Sequence, residues 1–484
     1  MNNFKNIAIK GATAVFISKL ICYMVQIIGT FVLARLLSPK DFGIVAMVTI
    51  FSNILIEFGM LQLSEAVIQA DTVTEVQKST LFWLNVLLCG IIAVLFVISS
   101  PLLVNYFNEP RLTNIMLVIS FSFIISGIGI QHLILIQKSM EFRNYAIILI
   151  VSTIINEVIS MYFAYMDFGY WSLVSRRVGY TILSSIGAWY FCKWRPSFRF
   201  NFKEAWPLIK FGLKSLANYS IGYISRSLDK IMVGKYFNST ELGYYDRAYY
   251  FFVLPGNLVT FPLTNLAVST LSKLRYDMEK FVRYYINASV FLALISFPLG
   301  FLLVIVGGDL IFILLGKQWI RTGELIKYLS PSIGFYVVGN TYTWVHFSLG
   351  HPDRLVKWTT FSTAITSVLI LAGLKFGLEG IAICYASSFV LLFIPSHLYA
   401  IVPPGINTKQ YIHDLIIIIV ISFVSIFPAG YFKSIVINNY STNVYMVFSI
   451  TCTVYVFVYC ILIMIVFGKT QYRRMLNIYR EIIA

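Results

Sequence analysis

Charged side chains are scarce in this 484-residue chain: Asp, Glu, Lys and Arg make up 12% of it, against 58% hydrophobic residues, and only 21 side chains are acidic. That scarcity argues against a soluble globular protein, about a quarter of whose residues are ordinarily charged. Catalytic and metal-binding patterns are missing too. There is no HExxH, no GxSxG and no cluster with metal-ligand spacing, and "LLGKQW" (Leu314 to Trp319) holds a Gly-Lys pair without the Walker A spacing or its Ser/Thr. Six cysteines lie mostly inside apolar runs without CxxC spacing and read as small hydrophobes. Long polar loops are also lacking, so no domain outside the membrane is large enough to fold alone. These absences argue against an enzyme and predict neither cofactor nor metal.

Long apolar runs are what the chain has. Mean hydropathy is +0.79, and about fourteen runs reach the length of about 20 residues that crosses a hydrocarbon core. The expected fold is therefore an all-α polytopic membrane protein. The first run lacks a small-residue cleavage site and is too long for a signal peptide, so it is expected to stay as a helix. A formal charge of +16 raises the question of nucleic acid. Alternating the loops answers it. Lys and Arg concentrate on the side of the N-terminus, a positive-inside bias that predicts both termini in the cytoplasm and anionic membrane lipids, with no nucleic acid, as the partners of the basic surface.

The chain also repeats itself. "LARLLSPKDFGIV" (Leu33 to Val45) returns 200 residues later as "VGKYFNSTELGYY" (Val233 to Tyr245), matching Arg35 with Lys235, Ser38 with Asn238, Asp41 with Glu241 and Gly43 with Gly243. Ser38 and Asn238 suit an N-cap, and an acid three positions on suits the first turn of the helix that follows. A weaker echo joins "MEFRNYA" to "HPDRLVK". Six helices precede the second copy, an even number, so the two copies run parallel about an axis along the membrane normal. The predicted organisation is a six-helix lobe over 1–191, a basic cytoplasmic connector over 192–206, a second six-helix lobe over 207–401, a further transmembrane pair over 410–467 and a basic tail over 468–484.

Polar stripes repeat with the helices. Lys19, Tyr23, Gln26 and Thr30 fall on one face of the first helix, and 200 residues on stand Tyr219, Tyr223, Arg226 and Lys230. Asn53, Glu57 and Ser64 stripe the second helix, answered by Asn257, Thr260 and Thr264 in the eighth, where Pro255 and Pro262 predict kinks. Charge at membrane depth costs at least about 2.5 kcal/mol per side chain, so it faces a wet interior or a partner. Lys19, Arg176, Arg177, Arg226 and Lys230 outnumber Glu57, Glu157 and Asp229, and an excess of buried cations predicts an anionic guest. Interhelical pairing, Asp229 with Arg226 or Lys230 for instance, is the competing role. His132 and His346 are expected to be lone packing residues before proton carriers, and "YYDRAYYFF" (Tyr244 to Phe252) an interfacial aromatic belt.

"LLSPKDFG", "FGMLQLSEAVIQ", "SLDKIMVGKYFNSTELGYYDRA", "LLGKQW" and "SLGHPDR" together resemble the polysaccharide transporter branch of the multidrug/oligosaccharidyl-lipid/polysaccharide exporter superfamily, over residues 1 to about 400. The resemblance implies two lobes around a central cavity that alternate between inward-open and outward-open states. It implies a flippase moving an undecaprenyl-pyrophosphate-linked oligosaccharide repeat unit, of O-antigen, capsule or exopolysaccharide, across the bacterial inner membrane, with a polysaccharide polymerase and a chain-length regulator as partners. Carried onto this chain, the cavity cations are Lys19, Arg226 and Lys230, joined by Arg176 and Arg177, and the polar stripes add Tyr23, Gln26, Tyr223 and Asn257 to the expected substrate-binding set. Glu57, Glu157 and Asp229 are the ion-coupling candidates. Competing readings are a peptidoglycan-precursor flippase, a multidrug exporter, whose cavity would be acidic, and a non-transport assembly protein.

Overall fold

A computed structural model describes residues 2–61, 63–70, 72–225, 227–401, 408–439 and 443–483. Among them helices are the only regular structure. Packing divides the chain into two compact units, Met1–Gly243 and Tyr244–Ala484. The first holds α1 (Asn2–Leu36), α2 (Pro39–Met60), α3 (Leu63–Gln69), α4 (Glu75–Ile98), α5 (Ser100–Phe107), α6 (Leu112–Lys138), α7 (Phe142–Tyr165), α8 (Trp171–Phe191), α9 (Phe202–Ser225), α10 (Leu228–Tyr236) and the first turn of α11 (Ser239–Pro255). The rest of α11 opens the second unit. It continues with α12 (Phe261–Leu274), α13 (Met278–Leu315), α14 (Ile320–Leu329), α15 (Ile333–Gly339), α16 (Tyr342–Ser348), α17 (Pro352–Gly373), α18 (Gly377–Ile401), α19 (Thr408–Val424), α20 (Ile426–Asn439) and α21 (Val444–Ile483).

The chain is a multi-pass membrane protein. Nine stretches among the described residues are long and apolar enough to cross a bilayer, two of which, Asp353–Ala400 and Tyr411–Asn438, each contain two helices. The expected number of fourteen is not reached by this measure. Segments around α8, α9, α11, α12 and α14 to α16 are too short, too polar or too interrupted to qualify.

Helix ends follow the sequence closely. Ser38 accepts from the Asp41 amide while Asp41 Oδ2 accepts from the Ser38 amide at 3.0 Å, a capping box at the start of α2. Asn238 repeats half of it, its Oδ1 accepting from the Glu241 amide at 2.8 Å. At the other end of α3, Lys138 donates to the Val67 and Ala70 carbonyls at 2.8 and 2.5 Å, satisfying acceptors that a helix C-terminus leaves open. Pro255 ends α11 in a π-helical turn, Gly256–Thr260, before α12 resumes. The kink expected at the prolines is thus a single turn of wider helix, which spaces out the carbonyls that proline leaves unbonded.

Lipid supplies no hydrophobic drive between helices, so small residues set the close crossings. A Cβ on Gly129 would collide with Ser185, one on Gly179 with Asn156, and Gly373 and Gly380 lie against one another's carbonyls. A buried cluster of Leu63, Val67, Leu81, Ile134, Ala205 and Ile209 ties α3, α4, α6 and α9 into one core. The basic connector is docked against α4: Trp194 donates to Glu75 at 2.8 Å, the Ser197 amide to Ser79 at 3.1 Å and the Asn201 amide to Thr80 at 3.0 Å. In the second unit the terminal helices clasp α13. Lys433 of α20 reaches Asp309 at 2.5 Å and the Ile305 carbonyl at 2.8 Å, and Tyr459 of α21 donates to the Leu294 carbonyl at 3.0 Å.

Candidate functional site

The polar interior of the first unit is built where α1, α7 and α8 cross. Gly29 lets α1 approach α7 so closely that a Cβ there would strike the Glu157 carboxylate. Arg176 of α8 closes the junction. Its Nε and Nη2 hold Glu157 Oε1 at 2.8 and 2.7 Å, Nη1 donates to Thr30 Oγ1 at 3.0 Å, and Nη2 donates to the Gln26 carbonyl at 2.9 Å. The Thr30 hydroxyl donates to the same Gln26 carbonyl at 2.7 Å. Of the expected cavity cations, Arg176 is therefore spent on an internal ion pair with Glu157, and Glu157 is held by the same bond.

Arg177 behaves differently. One residue along a helix turns a side chain by about 100°, which carries Arg177 away from Glu157. It is half-buried and under the electrostatic influence of Tyr223 of α9. Among the described residues its guanidinium makes no ion pair and no hydrogen bond. Tyr223 is itself oriented, donating to the Ile50 carbonyl of α2 at 2.8 Å. A guanidinium presents five donors and does not deprotonate, and among the described residues none of those donors is taken up.

The remaining expected residues are dispersed. Lys19 and Gln26 are exposed along α1, while Tyr23 is half-buried. On α2 Glu57 is half-buried; on α10 Asp229 is fully buried and Lys230 half-buried. Asn257 sits half-buried in the π turn of the second unit. Arg226 lies outside the described residues, as do the side chains of the basic tail. Within the first unit the structure brings together Gln26, Glu157 and Arg176 on one side and Arg177 with Tyr223 on the other.

The doubled turn has a physical reason to exist twice. A Cβ on Gly43 would fall on the Ser239 carbonyl oxygen and lie 2.9 Å from the Gly243 amide nitrogen; one on Gly243 would fall on the Pro39 carbonyl oxygen and lie 3.2 Å from the Gly43 nitrogen. Pro39 and Ser239 are themselves 200 residues apart. The two turns thus pack against each other as equivalents, backbone on backbone, at a crossing only glycine permits. Nearby, Lys235 donates to the Tyr106 carbonyl at 2.8 Å and lies 4.5 Å from the ring centre of Tyr106.

Residues 32–323 match the family described as polysaccharide biosynthesis protein, which is more than half of the chain. The chain belongs to the polysaccharide biosynthesis protein family. Its curated relatives include the teichuronic acid biosynthesis protein TuaB of Bacillus subtilis, 26% identical over 72% of each chain, and the lipopolysaccharide biosynthesis protein WzxC of Escherichia coli, 25% identical over 84% of each. Among solved structures the fold is similar to the lipid II flippase MurJ in an inward closed conformation, with a TM-score of 0.75 at 15% identity over 97% of this chain and all of that one. It is also similar to an inward-facing MATE family multidrug transporter, at 0.62 and 12% over 79% and 94%. The second is described as a transporter of the MOP superfamily, the exporter superfamily that the sequence motifs resemble.

Sequence reasoning missed several polar residues in this polysaccharide biosynthesis protein. Asp309 and Lys433 were visible as single charges within "VGGDLIF" and "GYFKSIV", and their pairing required only the rule that lipid-depth charges find partners. His132 and His346 pack against aromatic rings: His132 stacks on Trp189 at 4.1 Å and His346 lies 5.7 Å from Tyr399. The Tyr244 to Phe252 run differs from the belt expected of it. Tyr245, Phe251 and Phe252 are buried, and Phe252 packs on Tyr336 and Phe389 at 5.1 and 5.6 Å. Aromatics on one helical face filled the core of the second unit before they reached an interface.

Proposed function

We propose that the protein is a flippase that carries a polyprenyl-pyrophosphate-linked oligosaccharide repeat unit across the bacterial cytoplasmic membrane, with both termini cytoplasmic and two repeated halves alternating in access. Surface-polysaccharide names among the relatives support the sugar class, and the transporter fold supports movement over catalysis. The observation that carries the anionic part is the division of labour between consecutive arginines. Arg176 neutralises the one buried acid beside it, and Arg177 keeps its charge for something not supplied by the described residues. A pyrophosphate matches that demand, because a guanidinium binds phosphate oxygens bidentately. Lys19, Lys230 and Arg226 are proposed as supporting cations, Tyr23, Gln26, Tyr223 and Asn257 as polar contacts to the head group, and Glu57 and Asp229 as groups whose protonation accompanies the cycle.

The discriminating experiment compares the two arginines. Arg177→Gln is expected to reach the membrane at normal level and to lower surface polysaccharide at least tenfold, the scale set by a charge-assisted hydrogen bond of about 1.5–3 kcal/mol. Full export by that variant at normal protein level would remove the anion grip from the reading. The lipid II flippase fold keeps a peptidoglycan-precursor substrate as the second reading, and gene deletion separates the two: loss of surface polysaccharide with survival favours the first, loss of viability the second.

A further inference from the structure

The basic connector and the first turns of α9 expose four aromatic side chains within a short segment: Phe198, Phe200, Phe202 and Trp206. So much bare ring surface marks a site of contact. Its position is fixed by what holds it. Besides the bonds to Glu75, Ser79 and Thr80 at the opening of α4, the Trp83 indole donates to the Ser197 carbonyl at 3.0 Å. Trp194 also lies 5.3 Å from His132, in the last two turns of α6. Both α4 and α6 are long and apolar enough to cross a bilayer, so the connector sits where two spans meet the membrane surface.

The segment has two chemically distinct faces. Glu204 is its one acid, and it turns toward α4: its carboxylate accepts from Thr74 Oγ1 at 2.5 Å and its carbonyl from Gln77 at 2.8 Å. Arg195 is spent locally, donating to the Cys192, Trp194 and Trp189 carbonyls at 2.5, 2.7 and 3.1 Å and lying 5.2 Å from the centre of the Trp189 ring. The other face keeps Lys193, Arg199 and Lys203, all exposed. Among the described residues no acid pairs with any of the three. Phe198 is 90% exposed, with its ring stacked on Trp83 at 5.2 Å. Trp83 stands two turns into α4 from Glu75, about 12 Å along a helix that rises about 1.5 Å per residue. Phe198 therefore reaches past the end of the span toward its apolar middle.

Rings and unspent cations on one face match a bilayer boundary. Aromatic side chains collect at headgroup level, and Lys or Arg beside them meet the phosphates of anionic lipid. An acidic soluble protein would answer the charge alone and leave Phe198, at the depth of Trp83, without a partner. We propose that residues 193–206 form a docking site for anionic phospholipid, with Lys193, Arg199 and Lys203 on the phosphates and Phe198, Phe200 and Trp206 against the glycerol and upper acyl groups. Because α4 already holds the segment in place, the site is preorganised and lipid binding has little of the chain left to order. This is more than a uniformly basic surface. At the α12–α13 turn Lys273, Arg275 and Lys280 are also exposed, but Lys280 pairs with Asp277 at 2.8 Å and Arg275 lies 4.6 Å from the centre of the Tyr276 ring.

The site does not depend on what the protein carries, and its test needs no transport. Native mass spectrometry of the full-length protein, offered phosphatidylglycerol and phosphatidylcholine in equal amounts, reads the preference. The natural protein is expected to hold phosphatidylglycerol at least about tenfold more tightly. Neutralising the connector with Lys193→Gln, Arg199→Gln and Lys203→Gln should remove most of that preference, whereas Lys273→Gln, Arg275→Gln and Lys280→Gln should leave it within about twofold. Phe198→Ser with Phe200→Ser should weaken both lipids alike, since rings respond to depth and not to headgroup charge. Arg199→Gln alone is expected to give a partial loss, and decides the question where the triple variant does not reach the membrane. A preference that survives neutralisation of the connector, or that falls equally in the α12–α13 variant, overturns the site. Unchanged lipid preference with lost surface polysaccharide in the connector variant also overturns it, and would give the basic face to an acidic protein partner.

Discussion

Arg176 and Arg177 are chemically identical and adjacent, and the structure gives them opposite tasks. The first is bound to Glu157, whose side chain is 4% exposed. Removing one member of a buried pair strands the other charge, at a cost of about 3–5 kcal/mol. Arg176→Gln should therefore reduce folded protein and melting temperature, and Glu157→Gln on top of it should restore most of the loss, because a neutral amide needs no countercharge. Thermal unfolding of the purified single and double variants checks this; a double variant as unstable as the single one would show that Thr30 and the Gln26 carbonyl, and not Glu157, are what Arg176 serves. The sequence identified both arginines as lipid-depth charges. It could not say which was spent, since that depends on a 100° rotation and on α1 coming within reach across Gly29.

At the scale of elements, the sequence was most informative where the rule was local. Caps at Ser38 and Asn238 and the break after Pro255 depend on a few consecutive residues, and they stand where those residues predict. Interactions between helices were less legible: Lys138 at the end of α3, Lys235 against Tyr106 and the inward turn of Phe252 join positions 70 to 140 residues apart, for which one chain gives no local signal. The doubled turn lies between the two cases. Its recurrence was visible, and the reason was not until Gly43 and Gly243 came together. Because backbone faces backbone there, neither side has a flexible atom that can yield. Gly43→Ala and Gly243→Ala are each expected to cost about 1–3 kcal/mol, the range for overpacking, whereas Gly90→Ala, where an added Cβ meets nothing within 4 Å, should be silent. Melting temperatures of the three variants, with surface polysaccharide as the functional readout, test the contrast, and three equal results would contradict it.

The whole molecule raises the question of what the last helices contribute, since the family match ends at residue 323 and the internal repeat has no counterpart for α19 to α21. Within the second unit these helices act as a brace on α13. They bring Lys433 to Asp309, Tyr459 to the Leu294 carbonyl and the Tyr411 ring beside that of His397. Ending the chain after residue 401 would turn Asp309 toward lipid at a cost of about 2.5–3.5 kcal/mol on insertion scales, and would remove the ring beside His397. The truncated protein is expected to insert, because α13 is apolar enough to cross the bilayer without help, yet to melt at lower temperature. Asp309→Asn should recover part of that loss in the truncated protein. In the full-length protein the same substitution should destabilise, because it leaves the Lys433 ammonium without its carboxylate. That reversal of sign is the telling measurement: a brace that merely adds bulk would let Asp309→Asn act in the same direction in both chains, whereas one that works through the ion pair makes the substitution harmful with the brace and helpful without it.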